Sequence, residues 1–169
     1  MEINRAPVLT LWATIVAQRK GYSEDEALTL GKAVAGYTAQ YKGRSLGIYT
    51  AKEKTEAGEE KTKDYEVEFV DLMGRQIPTI KVGSEVRSIS KDKAVDSDSV
   101  RRYLNIKFGE SLDQFTATME DLASSYRPDE LGNIAFCLYE KFRPDIPQGK
   151  RGWGAKGELS LQKIQSLKK

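Results

Sequence analysis

Apolar residues at Val8, Leu11, Trp12, Ile15 and Val16 follow the i, i+3, i+4, i+7, i+8 spacing of one helical face and predict a helix over 7–19. Leu9 and Ala13 widen that face, so this helix is expected at the centre of the fold. Pro7 suits a first turn, where a missing N–H costs nothing, and Gly21 suits a left-handed close. A second helix opens at Ser23-Glu24-Asp25-Glu26, a capping box in which serine and glutamate satisfy each other's backbone N–H. It is predicted to run to Lys42 and stop at Gly43. Its small residues Ala27, Gly31, Ala35 and Ala39 recur every fourth position, forming a narrow stripe that lets another backbone approach closely. A second reading breaks this helix at Gly31, giving a helix-turn-helix whose later helix, over 32–41, offers Lys32, Gln40, Lys42 and Arg44 to a phosphate backbone.

Beyond Gly43 the pattern changes. Lysine and glutamate alternate with almost no apolar residue, so 50–64 is expected to be a mobile charged connector. From Tyr65 the period becomes two: Tyr65, Val67 and Phe69 are predicted inward on a strand, with Glu66 and Glu68 outward. A turn at 73–76 leads to a strand over 77–82, where Pro78 argues for an edge position. Gly83-Ser84 is a hairpin signal before a third strand over 85–89. Asp96 or Ser97 caps a helix with Val100, Tyr103 and Leu104 inward and Arg101, Arg102 and Lys107 outward, ended by Gly109. A capping box at Ser111 opens a helix carrying Leu112, Phe115, Met119, Leu122 and Tyr126. Pro128 begins another with Leu131, Ile134, Ala135, Leu138 and Phe142 inward. The short junction at Arg127-Pro128 predicts an antiparallel helical hairpin. The fold class is therefore α+β: mainly helical, with an N-terminal helix pair, a small antiparallel three-stranded meander and a C-terminal helical hairpin. All 169 residues are read as one domain, with 143–169 as a basic C-terminal extension.

Composition narrows the chemistry. The chain has no histidine and one cysteine, which removes zinc sites and serine–histidine or cysteine–histidine catalysis from consideration. Cys137, flanked by apolar residues and without a cationic neighbour, is expected to be buried. Asp92, Asp96 and Asp98 lack the glycine and closing glutamate of a calcium loop, and helix capping accounts for them better. No carboxylate dyad for acid–base work stands out, and no cofactor or protein-held metal is expected. No apolar run reaches the ~20 residues of a membrane span. We therefore expect a cytoplasmic protein with no membrane association.

Charge distribution says more than the net charge of +2. Residues 111–140 hold six acids and one base, and residues 141–169 hold eight bases and two acids. The basic end either meets an anionic partner or folds back on the acidic helices. Within it, Gly152-Trp153-Gly154-Ala155-Lys156-Gly157 matches the three-glycine dinucleotide pattern in letters only, because prolines precede it and no long helix follows. Lys150, Arg151 and Lys156 around Trp153 can instead grip a phosphodiester while the indole stacks on a base. The alternative, and the commoner role for a tryptophan in a late loop, is that Trp153 plugs the core and the glycines allow a tight turn.

Two segments, Arg5-Ala6-Pro7-Val8-Leu9-Thr10-Leu11-Trp12 continuing through Glu26-Ala27-Leu28-Thr29-Leu30-Gly31 to Lys42-Gly43, and Arg151-Gly152-Trp153-Gly154-Ala155-Lys156-Gly157, resemble a family of small uncharacterised bacterial proteins. The resemblance spans most of the chain and implies a bacterial, cytosolic protein with no particular chemistry. The leading expectation is a non-enzymatic nucleic-acid-binding protein with a winged-helix-like element order, contacting its partner through Lys42, Arg44, Lys150, Arg151, Trp153 and Lys156. The alternative is a protein-interaction or self-associating module, a homo-oligomer, using the small-residue helix face and the aromatics. An enzyme working through carboxylates or lysine is a third possibility without a constellation to carry it.

Overall fold

The computed structural model describes residues 1–45, 66–91, 93–147, 149 and 155–169, with residues 39–45 described by backbone alone. The helix expected over 7–19 is α1 (Arg5–Arg19), and every residue from Pro7 to Ala17 is buried. A helix buried all round sits at the middle of a fold rather than on a working surface. Trp12 anchors it. Its indole is fully buried, donates from Nε1 to the Ala135 carbonyl at 2.9 Å, and meets the Phe142 ring edge-on at 5.4 Å.

The second helix, α2 (Glu24–Ser45), is one uninterrupted element. It passes through Gly31 and beyond the expected stop at Gly43, which overturns the broken-helix reading. The reason is packing. Gly31 is buried against α1, where a Cβ would meet Thr14 Oγ1 and, at 2.6 Å, the Thr10 carbonyl. Ala27 and Ala35 are buried on either side of it. The small stripe is therefore the α1–α2 seam. The predicted capping box forms: Ser23 N–H donates to Glu26 Oε1 at 3.0 Å, and Glu26 N–H donates to Ser23 Oγ at 3.2 Å.

The sheet has the antiparallel order β2-β3-β4-β5, from β2 (Glu68–Leu72), β3 (Arg75–Val82), β4 (Glu85–Ser90) and β5 (Lys93–Ala94). The three-stranded expectation thus misses a short fourth strand, and Phe69 faces outward, while Glu66 and Glu68 are exposed and Val67 is partly buried as expected. Phe69 is 64% exposed, whereas Leu72 is buried and Val70 partly so. Apolar Phe69 and Val70 are neighbours on opposite faces, and alternation carried on from Val67 put Phe69 inward where Val70 and Leu72 are. Pro78 lies on an interior strand rather than an edge. It sits opposite Phe69, but the ladder from β3 to β4 starts only at Thr79, so no bond across that side is lost.

The sheet is tied to α2 by buried polar contacts. Ser88 N–H donates to Thr29 Oγ1 at 3.1 Å, Ser88 Oγ donates to the Thr29 carbonyl at 2.7 Å, and Val86 N–H donates to Glu26 Oε2 at 2.8 Å. Asp96 caps α3 (Ser97–Phe108), and Gly109 follows it at positive φ, both as expected. Arg101, expected outward, bridges α3 to α2 instead, reaching Asp98, Glu24 and Asp25 at 2.7, 2.8 and 2.9 Å.

A 3-10 turn leads to α4 (Leu112–Ser124). Ser111 lies in that turn in helical backbone geometry, so its hydroxyl makes no cap and the second capping box is absent. Next comes α5 (Pro128–Phe142). Both helices lie against α1, which serves as their common partner in place of a tight hairpin of two. Cys137, expected buried, is exposed on α5, because Leu138 and Ala135 take the inner positions.

The chain then returns to its start. β6 (Lys156–Glu158) pairs antiparallel with β1 (Glu2–Asn4), a two-stranded ladder that no sequence pattern announced. A short helix, α6 (Leu161–Gln165), packs on α4 with Ile164 buried. The architecture is α+β, and no helix among the described residues is long and apolar enough to cross a membrane.

Candidate nucleic-acid interface

The basic C-terminal stretch divides in two. Lys163, Lys168 and Lys169 fold back on acids of the same chain: Asp145 at 2.9 Å, Asp121 at 2.7 Å and Glu130 at 2.6 Å. Tyr126 helps by donating to the Leu167 carbonyl at 2.7 Å. These bases are answered internally. Lys141, Arg143 and Lys156 have no carboxylate within 4 Å among the described residues.

Arg143 is joined by a residue from the far end of the chain. Arg5 opens α1, and its Nε donates to the Pro144 carbonyl at 2.9 Å. Its guanidinium pKa is lowered, first by burial and then by the charge of Arg143. The two cations thus repel one another, and Arg5 is partly dehydrated. The acid nearest in effect, Asp145, is already spent on Lys163, whose hydrogen bond holds that carboxyl below its ordinary value.

Tyr139 completes the cluster. It lies four residues before Arg143, the residue that follows α5. The side chain is 1% exposed, packs edge-on to Phe142, and has the Arg143 guanidinium 6.0 Å from its ring centre. Its hydroxyl has no hydrogen-bond partner among the described residues. Burial pushes the phenol pKa up to about 12, against the pull of Arg143 and Arg5. A buried hydroxyl without a partner costs about 1–3 kcal/mol.

Lys156 extends the cluster to the next strand. It is exposed on β6 opposite Asn4, the residue before Arg5. The bridge between Asp145 and Glu158, with the Asn4–Lys156 pairing, holds the two ends of segment 146–155 side by side. Among the described residues, then, the Arg143 and Lys156 side chains and the Tyr139 hydroxyl meet no acceptor there, while Arg5 keeps its one bond to the Pro144 carbonyl. Such an array suits an oxyanion, bound by charge-assisted hydrogen bonds, and contains no base for proton transfer. Among the described residues no group of His, Cys, Asp or Glu could hold a metal ion.

Of the residues named from the sequence, only Lys156 has a described side chain. Lys42 and Arg44 fall in the last turns of α2, known by backbone alone. Lys150, Arg151, Trp153 and the connector 50–64 lie outside the described residues. Sequence reading missed Arg5, Tyr139 and Arg143. The four-residue spacing of Tyr139 and Arg143 was legible. The meeting with Arg5 was not, because it depends on the β1–β6 closure. A separate cleft of about 480 Å³, lined by Lys20, Asp71, Met73, Pro128 and Asp129 among others, contains none of these groups, and its lysine already donates to the Asp71 carbonyl at 2.7 Å.

Comparison with known proteins adds no likeness: no family model, no curated protein and no solved structure matches the chain.

Proposed function

We propose that this is a non-enzymatic nucleic-acid-binding protein that holds backbone phosphates at the foot of its basic C-terminal segment. The observation that carries the reading is the pair Arg5 and Arg143, with no carboxylate within 4 Å among the described residues, beside the Tyr139 hydroxyl that has no hydrogen-bond partner among them. Phosphate oxygens supply the acceptors that this cluster lacks. Lys150, Arg151 and Trp153 belong to the segment whose ends meet there, and in this reading they continue the contact, with Trp153 stacking on a base. Lys156 adds a charge at the segment's return, and Lys42 and Arg44 a further pair at the end of α2. The helix pair itself has a scaffold role here, since α1 is buried and α2 is continuous.

Fluorescence anisotropy with labelled single-stranded oligonucleotides tests this. Affinity should fall with salt, with a log–log slope of about −0.7 per phosphate contacted, and Arg143→Gln should shallow that slope by roughly one contact. Lys168→Gln, which removes a lysine already paired with Asp121, should leave it unchanged. No binding at low salt, or binding indifferent to salt, defeats the proposal.

One observation favours self-association as a second reading. Phe69 projects from β2, a strand whose outer edge is unpaired among the described residues. Such an edge is a template for another strand. Light scattering that shows a dimer dispersed by Phe69→Lys would support it, and a monomer at all concentrations would end it.

A further inference from the structure

We infer that Lys32, Tyr103 and Lys107, where α2 meets α3, form a second phosphate-binding site, separate from the foot of the C-terminal segment. Lys32 reaches from α2 and sets its ammonium 4.1 Å from the centre of the Tyr103 ring. Lys107 follows Tyr103 by one turn of α3 and places its ammonium 6.0 Å from the same centre. Two like charges from different helices therefore share one aromatic ring.

Charge is handled differently around them. Arg101, two residues before Tyr103, is answered by three carboxylates, and Arg87 and Arg127 each have one. Lys32 and Lys107 have none within 4 Å among the described residues, and neither does Arg102 beside them. Lys32 is exposed to solvent along part of its length, and desolvation of the rest lowers its pKa, with the Lys107 charge lowering it further. The ring attracts the lysine by its negative face but brings no formal charge, and it leaves ammonium protons free for an acceptor. A phosphate group answers both lysines at once: its charge of up to two matches two cations, and separate oxygens accept from separate ammoniums.

The phosphate can belong to a nucleic-acid backbone or to a small phosphomonoester, and one experiment separates them. The labelled full chain is titrated with inorganic phosphate, with acetate at equal ionic strength, with phenyl phosphate, and with a single-stranded oligonucleotide lacking terminal phosphates. The lysine ε-methylene and tyrosine ring signals are followed by NMR. We expect saturable shifts of Lys32, Lys107 and Tyr103 with inorganic phosphate and not with acetate. Lys32→Gln and Lys107→Gln should each weaken this binding about tenfold, the range of one charge-assisted hydrogen bond. Circular dichroism should show both variants folded, and Lys168→Gln should bind as the parent does. Shifts with phenyl phosphate alone assign a small ligand, and shifts with the oligonucleotide assign a phosphodiester backbone. Either supports the site. Absence of saturable shifts, equal shifts with acetate, or unaltered binding in Lys32→Gln overturns it. Because these signals are distinct from Arg5, Tyr139 and Arg143, oligonucleotide binding that leaves them unmoved preserves the proposed function while removing the nucleic-acid source for this site.

Discussion

Single side chains in this protein carry opposite electrostatic signs, and pH separates them. Lys32 is charged at a cost. Burial, and then Lys107, lowers its pKa from the ordinary 10.5, with the Tyr103 phenol facing it and itself raised by burial. The unfolded chain therefore holds the Lys32 proton more firmly than the fold does. The penalty is complete below the folded pKa, shrinks as pH climbs through it, and is gone above 10.5. Lys32 is an exposed residue and solvent screens most of this cost, so Lys32→Met should raise the thermal midpoint at pH 7 only slightly, with the gain narrowing as pH approaches 10.5. A variant less stable than the parent at pH 7 would show that the contact with Tyr103 outweighs the burial. Glu26 has the reverse sign. Hydrogen bonds from Val86 N–H and then Ser23 N–H hold its carboxyl below the usual 4.5. Its contribution is present above 4.5 and is lost as pH falls through the lowered value. Glu26→Gln turns one acceptor into a donor facing an N–H and should cost about 1–2 kcal/mol at neutral pH. Denaturant titrations at pH 7 and pH 3 should show that deficit shrinking in acid.

At the scale of elements, two glycines on α2 make opposite predictions from the same substitution. Alanine favours a helix over glycine by about 1 kcal/mol. At Gly36 nothing lies within 4 Å of the added Cβ, so Gly36→Ala should stabilise by up to about that amount. At Gly31 the Cβ runs into Thr14 and the Thr10 carbonyl. Gly31→Ala should therefore destabilise by about 1–3 kcal/mol despite the better propensity, as read by urea titration. Much of this level was legible in the sequence. Periodicity marked α1, the Ser23–Glu26 box marked the start of α2, and Gly109 marked the end of α3, because each signal is local and physically self-contained. Failures came where a distant neighbour decides. Ser111 reads as a cap until the 3-10 turn changes its backbone. Pro78 reads as an edge residue until the ladder beside it proves short. Cys137 reads as core until its helix is rotated by Leu138 and Ala135. Tyr139 and Arg143 were visible at four-residue spacing, but a sequence shows no reason for Arg5 to stand beside them.

Closure of the chain ends is what makes a site at the scale of the molecule. α1 starts immediately after β1, and β6 follows segment 146–155, so pairing β1 with β6 is the step that brings Arg5, Arg143 and Lys156 together. The step depends on Gly157. It is buried opposite Ile3, and any Cβ there would run into the Asp145 backbone carbonyl. Gly157→Val therefore sets sheet pairing against a hard backbone contact, and overpacking of this kind typically costs about 1–3 kcal/mol. β1 joins the apolar core through Ile3, but the α1–α2 seam around Gly31 involves neither strand, so the strain should open the ladder locally. Hydrogen exchange should show the Leu159 amide, which bonds the Met1 carbonyl at 2.7 Å, losing protection while amides in the middle of α1 keep theirs. Oligonucleotide affinity should fall together with that protection, since the two arginines would no longer be held at one place. If the ladder opens and affinity and its salt slope stay as they were, phosphate recognition lies elsewhere on the molecule and Arg5 with Arg143 is only a crowded corner of the fold. If affinity falls while Leu159 stays protected, the contact is made at Gly157 on β6 itself, and the closure is not its cause.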